Sequence, residues 1–424
     1  MVKLLIIADD FTGALDTGVQ FAIQGIGAKV LTDIGYDFSG MDEDAEVLVI
    51  NTETRHTSPK EAYRIVRDLS ERALGAGVAH IYKKTDSAMR GNVGSELRAV
   101  LDASKQSELP FVPAFPEMNR TTDEGNLYID GIPVNESVFG SDPFSPVASA
   151  HIPVIIQENT DVKVSIFNKL KNLIRPNKHI CVYDAATDDD LQEIADKLKD
   201  ENRLTISAGC AGFAKVLPET LGLATKEIQK VEGAGRFLIA CGSVNPITKR
   251  QIEHAVQNGI KRVNLTPPQK LDGNYFSTEE GEAFLEELKT LYAEEKVLII
   301  DTNDVGDLDA TKSYAGEKGY DINGIREQIS KNLGHAVKLL LDAAEDSIVL
   351  ITGGDSLLGY MKQIGCEEII PLYELAPGTV LSYYINEGKK RHIISKSGGF
   401  GREDLLVSLA SNLLTKENEV EGNG

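Results

Sequence analysis

Two adjacent carboxylates end the first apolar run of the chain: Leu4 to Ala8 lead directly into Asp9 and Asp10, followed by Thr12 and Gly13. Charge is costly at the end of a buried strand unless cations surround it. Other segments supply such cations. "NTETRH" carries Arg55, "KKTDSAMRGNVG" carries Lys83, Lys84 and Arg90, and "FPEMNRTT" carries Arg120. Each follows a short apolar run. In an open parallel sheet, ligands bind at the carboxyl ends of strands. These five cations are therefore expected to share one rim, as a site for a small anion. Loop lysines and arginines are more often merely solvated, and an Asp after a strand often only caps the next helix, as Asp9 could here. Agreement among several strand-end loops favours the anion site. Carboxylates facing several cations stay ionised, so Asp10 and Asp86 can accept or orient a hydroxyl proton.

The second half carries a different chemistry. "CGSVNPITK", "TGGDSLLG" and "KSGGFGRED" each follow an apolar run and open a helical stretch. Glycine lets backbone N–H groups approach a phosphate, and a helix N-terminus adds partial positive charge. Neither a Walker A loop nor a G-x-G-x-x-G fingerprint is present. Lone Gly-Gly pairs usually mark turns, but three at one sheet edge point to a nucleotide phosphate cradle. Lys396 is either a charge for that phosphate chain or an ordinary loop lysine.

The elements that must hold these residues follow from periodicity. Short apolar runs alternate with amphipathic stretches, for example 59–74, 93–104, 188–199 and 246–258, which predicts parallel sheets flanked by helices. The fold class is α/β, with two domains and an active site in the cleft between them. The boundary is expected in the polar stretch 222–235, giving residues 1–230 for the anion and 231–424 for the nucleotide. Residues 152–156 read as a strand, 303–322 as a long surface loop, and 128–134 as a tight Asp-Gly hairpin. The tail 415–424 should fray.

Composition bounds the partners. The 424 residues include 44 Lys and Arg against 65 Asp and Glu, a formal net charge of −21. Nucleic acid and anionic membrane both require a basic field and are not expected as partners. No apolar run is long enough to cross a bilayer and no signal peptide is evident, so the cytoplasm is the expected location. Cys181, Cys210, Cys241 and Cys366 are scattered, so no protein-held metal and no disulfide framework is expected. The oligomeric state, including a homo-oligomer, stays open.

In order along the chain, "IADDFTGALD", "KKTDSAMRGNVGSEL", "PAFPEMNRTT", "SDPFSPVASAHI", "GSVNPITKRQI", "ITGGDS", "ELAPGT" and "KSGGFG" resemble the four-carbon acid sugar kinase family. The resemblance spans about residues 3 to 412. It implies an ATP-dependent kinase acting on the terminal hydroxyl of a threonate- or erythronate-like acid. By position it implies substrate contacts at Asp10, Arg55, Lys84, Thr85, Asp86 and Ser87. It implies ATP contacts at Ser243, Gly353, Gly354, Asp355, Ser356, Gly398 and Gly399. Asp86 or Asp10 would serve as the catalytic base, with Mg2+ offsetting the triphosphate charge. "GGDS" departs from the Gly-Gly-Glu-Thr or Gly-Gly-Asp-Thr of many relatives but keeps the hydroxyl. "KSGGFG" resembles the threonate-type branch more than the oxo-tetronate branch, which tends to read "KSGNFG". A non-catalytic acid-sugar sensor and an ATP-dependent enzyme of another type, such as a ligase, are the alternatives.

Overall fold

The computed structural model describes residues 2–40, 45–142, 145–167, 178–225, 231, 233–305 and 309–414. The chain divides into two compact units, Met1–Ile228 and Gln229–Gly424. Part of the expected boundary stretch 222–235 lies outside the described residues, as does the tail 415–424 expected to fray.

The strands of the first unit are β1 (Leu4–Ala8), β2 (Ala28–Leu31), β3 (Val47–Asn51), β4 (His80–Lys84), β5 (Glu108–Val112), β6 (Arg120–Asp123), β7 (Asn126–Ile129), β8 (Ile132–Pro133), β9 (Lys163–Phe167), β10 (His179–Tyr183) and β11 (Ile206–Gly209). Its helices are α1 (Phe11–Ala22), α2 (Pro59–Gly75), α3 (Val93–Ser104), α4 (Ile152–Gln157), α5 (Asp188–Asp200), α6 (Ala211–Ala214) and α7 (Leu217–Thr220). The main sheet runs β2-β3-β1-β4-β11-β5-β10-β9, every neighbouring pair parallel. β1 and β3 are buried at every position, as a parallel sheet covered on both faces demands. The strand order reverses beside β1, where Ala8 lies level with Asn51 of β3 and Lys84 of β4. Such a reversal leaves a crevice above the strand ends.

The expected hairpin is present. Asp130 and Gly131, with φ of 51° and 77°, turn β7 into β8, and β6 pairs antiparallel to β7. The strand expected at 152–156 is instead α4. Its buried residues, Ile152, Ile155 and Ile156, follow helical spacing, and Pro153 stands in the first turn, where its missing N–H costs nothing. The β-branched composition misled where the period decided.

The second unit contains β12 (Arg236–Cys241), β13 (Lys261–Asn264), β14 (Val297–Asp301), β15 (Ser347–Thr352), β16 (Glu368–Ala376), β17 (Thr379–Asn386) and β18 (Lys389–Lys396). Its helices are α8 (Pro246–Gln257), α9 (Pro267–Leu271), α10 (Glu279–Glu294), α11 (Ala310–Lys318), α12 (Ile322–Ala343), α13 (Gly354–Ile364) and α14 (Leu405–Leu413). Its strand order is β13-β14-β12-β15-β18-β17-β16. The first five are parallel, and β17 runs antiparallel to both neighbours. The loop expected over 303–322 contains α11, closed by Gly319 at φ 75°, and the start of α12; residues 306–308 lie outside the described residues. The Lys-Gly sequence closing α11 is a helix-end signal that the Asp- and Gly-rich composition masked. Among the described residues, no helix is long and apolar enough to cross a membrane.

Candidate functional site

Asp9, Asp10, Arg55 and the 84–90 loop meet above the reversal point of the first sheet. Arg55 arrives from the loop after β3 and is nearly buried. Its Nε donates to Asp9 Oδ2 at 2.7 Å, and its two terminal nitrogens donate to the two oxygens of Asp10 at 2.8 Å each. It also lies 3.5 Å from Asp86 Oδ1. Burial alone would lower the guanidinium pKa, but Asp10, Asp9 and Asp86 raise it well above its ordinary value. Asp10, not Asp9, caps α1: its Oδ1 accepts from Gly13 N at 3.0 Å and its Oδ2 from Thr12 at 2.8 Å. Burial pushes the Asp9 carboxyl up, while Arg55, Lys83 and Lys84 outweigh it and hold the group below the usual range.

Asp86 accepts a guanidinium fork from Arg90, at 2.8 and 3.0 Å, and the backbone N–H groups of Ala88 and Arg90. Burial opposes its ionisation, but Arg90 and Arg55 prevail and hold it well below the carboxylate range. Arg90 reaches on to Asp142 at 3.1 Å, and Arg120 donates to Ser87. The Phe139 ring receives both guanidiniums, 5.1 Å from Arg90 and 5.5 Å from Arg120. Phe139 and Asp142 come from the segment after the hairpin, and nothing local in the sequence marked them as neighbours of the 84–90 loop.

The two lysines part company. Successive strand residues face opposite sides of a sheet. Lys83 is fully buried and pairs with Glu96 of α3 at 2.9 Å, so it lies under the rim rather than on it. Lys84 is 5% exposed, and its ammonium donates to the Thr85 carbonyl at 2.7 Å. A Cβ on Gly13 would stand 2.4 Å from Asp10 Oδ1 and 3.0 Å from Lys84 Nζ, so an anionic and a cationic group flank one backbone position. Thr85 is tied to β11 through its N–H and hydroxyl, both donating to the Gly209 carbonyl.

In the second unit the three glycine loops pack on one another. A Cβ on Gly242 would come 1.8 Å from Ser356 Oγ, and one on Gly398 would come 2.4 Å from Ser243 Oγ. Gly353 has φ 92° and lies 3.8 Å (from its Cβ position) from Ser243 N; its own N–H donates to the Lys396 carbonyl at 3.1 Å. Ser243, Gly353, Ser356 and Gly398 are thus brought together, with Gly399 beside Asn245. α13 begins at Gly354 with no side-chain cap, leaving its first N–H groups to a ligand. Asp355 stands in that first turn and receives a fork from Arg326 of α12, with N–O distances of 2.9 to 3.1 Å. Sequence reasoning missed Arg326, which lies 29 residues before its partner.

One compact His, Cys and carboxylate group exists among the described residues: Glu108, His179 and Cys181. It lies at the starts of β5 and β10, the opposite edge from the rim, and Glu108 is ion-paired with Arg203.

Comparison with known proteins adds identity to this geometry. A family model described as a sugar-binding N-terminal domain matches residues 4–217, and one described as a nucleotide-binding C-terminal domain matches residues 238–406. D-threonate kinase of Salmonella typhimurium strain LT2 is 28% identical over 419 residues, covering 96% of this chain and 97% of the relative. D-erythronate kinase of Heliobacterium modesticaldum is 27% identical over 446 residues, covering 98% of each. The fold recurs in crystal structures of a Salmonella typhimurium LT2 protein, with TM-score 0.76, 19% identity and coverage of 96% and 98%. It recurs also in a Haemophilus influenzae protein, with TM-score 0.70, 19% identity and coverage of 97% and 100%. From the two domain matches and these full-length relatives, the chain belongs to the four-carbon acid sugar kinase family.

Proposed function

We propose that this protein transfers the terminal phosphoryl group of ATP to the terminal hydroxyl of a four-carbon sugar acid of the threonate or erythronate type. Kinase activity on a four-carbon acid sugar accords with the curated relatives, which are kinases of D-threonate, D-erythronate and 3-oxo-tetronate. The carrying observation in the structure is the state of Lys84. It is a nearly buried ammonium at the reversal point of the first sheet, hydrogen-bonded among the described residues to the Thr85 carbonyl and near Gly13, as Asp10 is.

Roles follow from which groups are already committed. All three Arg55 nitrogens are engaged by Asp9 and Asp10, so Arg55 acts as a strut that locks the two acids in place. That shifts the anion contact expected of Arg55 onto Lys84, whose charge meets the acid's carboxylate. Asp86 accepts from Arg90 and two backbone N–H groups, and Asp10 from Arg55, Gly13 and Thr12, so commitment does not separate the two acids. The cations around Asp86 hold its carboxyl well below the carboxylate range and make it a weak base. Asp86 positions Arg90. Asp10 is the more accessible carboxylate, with its side chain 19% exposed against 9% for Asp86, and orients the attacking hydroxyl. Phosphoryl transfer through a loose transition state needs positioning and charge stabilisation more than a strong base.

In the second unit, the N–H groups at the start of α13 and those of Gly398 and Gly399 hold the triphosphate, with the Ser243 hydroxyl beside them. Mg2+ would offset phosphate charge here, and the half-exposed Asp355 carboxylate, which Arg326 also engages, is the charged oxygen donor beside the glycine loops that would hold it, the ligand type this ion takes. The test is a panel of C4 to C6 aldonates assayed for ADP release. ADP formed with threonate or erythronate supports the reading. AMP in its place, or nucleotide turnover with none of the acids, overturns it.

A further inference from the structure

Lys396, the last residue of β18, is fully buried. Its partners in register across the sheet are Thr352 of β15 and Thr379 of β17, both uncharged. The ammonium donates to the Ser397 carbonyl at 3.1 Å and lies 3.5 Å from Thr248 Oγ1 on α8. Thr248 in turn donates to the Gly398 carbonyl at 2.9 Å. Two successive carbonyls of the glycine loop are therefore tied into the interior. A trans peptide points its C=O and N–H in opposite directions. The N–H groups of Gly398 and Gly399 are thus turned away from the interior, and neither donates to another backbone group among the described residues.

We propose that Lys396 is a positioning residue for the nucleotide. It holds the Ser397 carbonyl inward so that the Gly398 and Gly399 N–H groups face the phosphates, and its charge takes those phosphates as its counter-ion. The proposal rests on reading these loops as the nucleotide site. A buried ammonium without a carboxylate partner is expensive, and no carboxylate pairs with Lys396 among the described residues. The titratable group beside it is the Cys241 thiol of β12, which burial pushes up to about 12, so it is neutral where Lys396 titrates and offers no counter-charge. Burial lowers the Lys396 ammonium to about 8. Phosphate arriving above it stabilises the charged form, so nucleotide binding takes up a proton near that pH.

The experiment is calorimetry of ADP binding by the full chain at pH 7 to 9.5, in buffers of different ionisation enthalpy. The expected result is proton uptake near pH 8 to 9 and an affinity that falls about tenfold by pH 9.5. Lys396→Met should abolish both effects and weaken ADP about tenfold to hundredfold at pH 7, the span of a hydrogen bond to a charged group. It should raise KM for ATP and leave KM for the acid unchanged, and Lys396→Arg should recover part of the loss. A wild-type affinity flat with pH and without proton uptake overturns the proposal, and this measurement needs no variant to fold. Gly354→Val serves as the control for the site. If it loses ADP binding while Lys396→Met does not, the lysine role alone is rejected. If both bind ADP normally, the nucleotide site itself is rejected.

Discussion

Gly13→Ala is a one-carbon change that tests the first site without altering any charge. Gly13 is buried in the first turn of α1, and its N–H donates to Asp10 Oδ1 at 3.0 Å. The added Cβ would stand 2.4 Å from that oxygen and 3.0 Å from Lys84 Nζ. Carbon and oxygen come to rest nearer 3.5 Å, so the Asp10 carboxylate must retreat by about 1 Å. Both neighbours are ends of flexible side chains, so the backbone has no need to move. Retreat strains the two 2.8 Å bonds from Arg55 and weakens the cap. A lost cap costs about 1 kcal/mol, and replacing a helical Gly by Ala returns nearly as much. The melting temperature should therefore stay within a few degrees of wild type. A misplacement of about 1 Å at the reacting groups costs about hundredfold in rate, or ~2.7 kcal/mol of transition-state stabilisation. The assay is ADP release with threonate or erythronate at saturating ATP, beside thermal unfolding of the same sample. A stable variant with kcat/KM for the acid within threefold of wild type would refute the idea that Asp10 and Lys84 frame the acceptor.

Asp86→Asn should reduce turnover more than a hundredfold, because the Arg90 fork loses its anion, while calorimetry shows ATP binding intact; normal kcat would remove Asp86 from the machinery. Gly354→Val places a β-branched side chain at the uncapped start of α13 and should weaken ATP far more than the acid; the opposite order in calorimetry would mean that the two units are assigned backwards. Lys83→Met leaves Glu96 buried without its cation and should cost about 3–5 kcal/mol in urea unfolding at pH 8. Glu96 is already raised above its ordinary value by burial. A folded-state pKa above the unfolded one favours the fold at low pH, so the deficit should shrink at pH 5 as Glu96 protonates. In the nucleotide-free protein, the depressed Lys396 ammonium means that the unfolded chain binds more protons between pH 8 and 10.5. Wild type should accordingly gain stability relative to Lys396→Met as pH rises through that window, and a constant difference would contradict the burial argument.

Much of this protein was legible in its sequence, and the reason is local. Period-two and period-3.6 patterns, Pro and Gly punctuation, and chemistry placed just after apolar runs all act over a few residues. They were enough to read parallel sheets, the Asp-Gly hairpin, the acid-and-cation rim and the glycine loops. Locality also limited the reading. Residues 152–156 and 310–318 were misread where composition and period disagreed, and Lys83 was set on the rim although strand alternation already forbade it to share a face with Lys84. Only the tertiary structure decided which charges are committed. Arg55 binds Asp9 across 46 positions, Arg326 meets Asp355 across 29, and Thr248 supports Gly398 across 150. Sheet order brings such residues together, and sheet order is set by the packing of whole elements, which no short window of sequence contains.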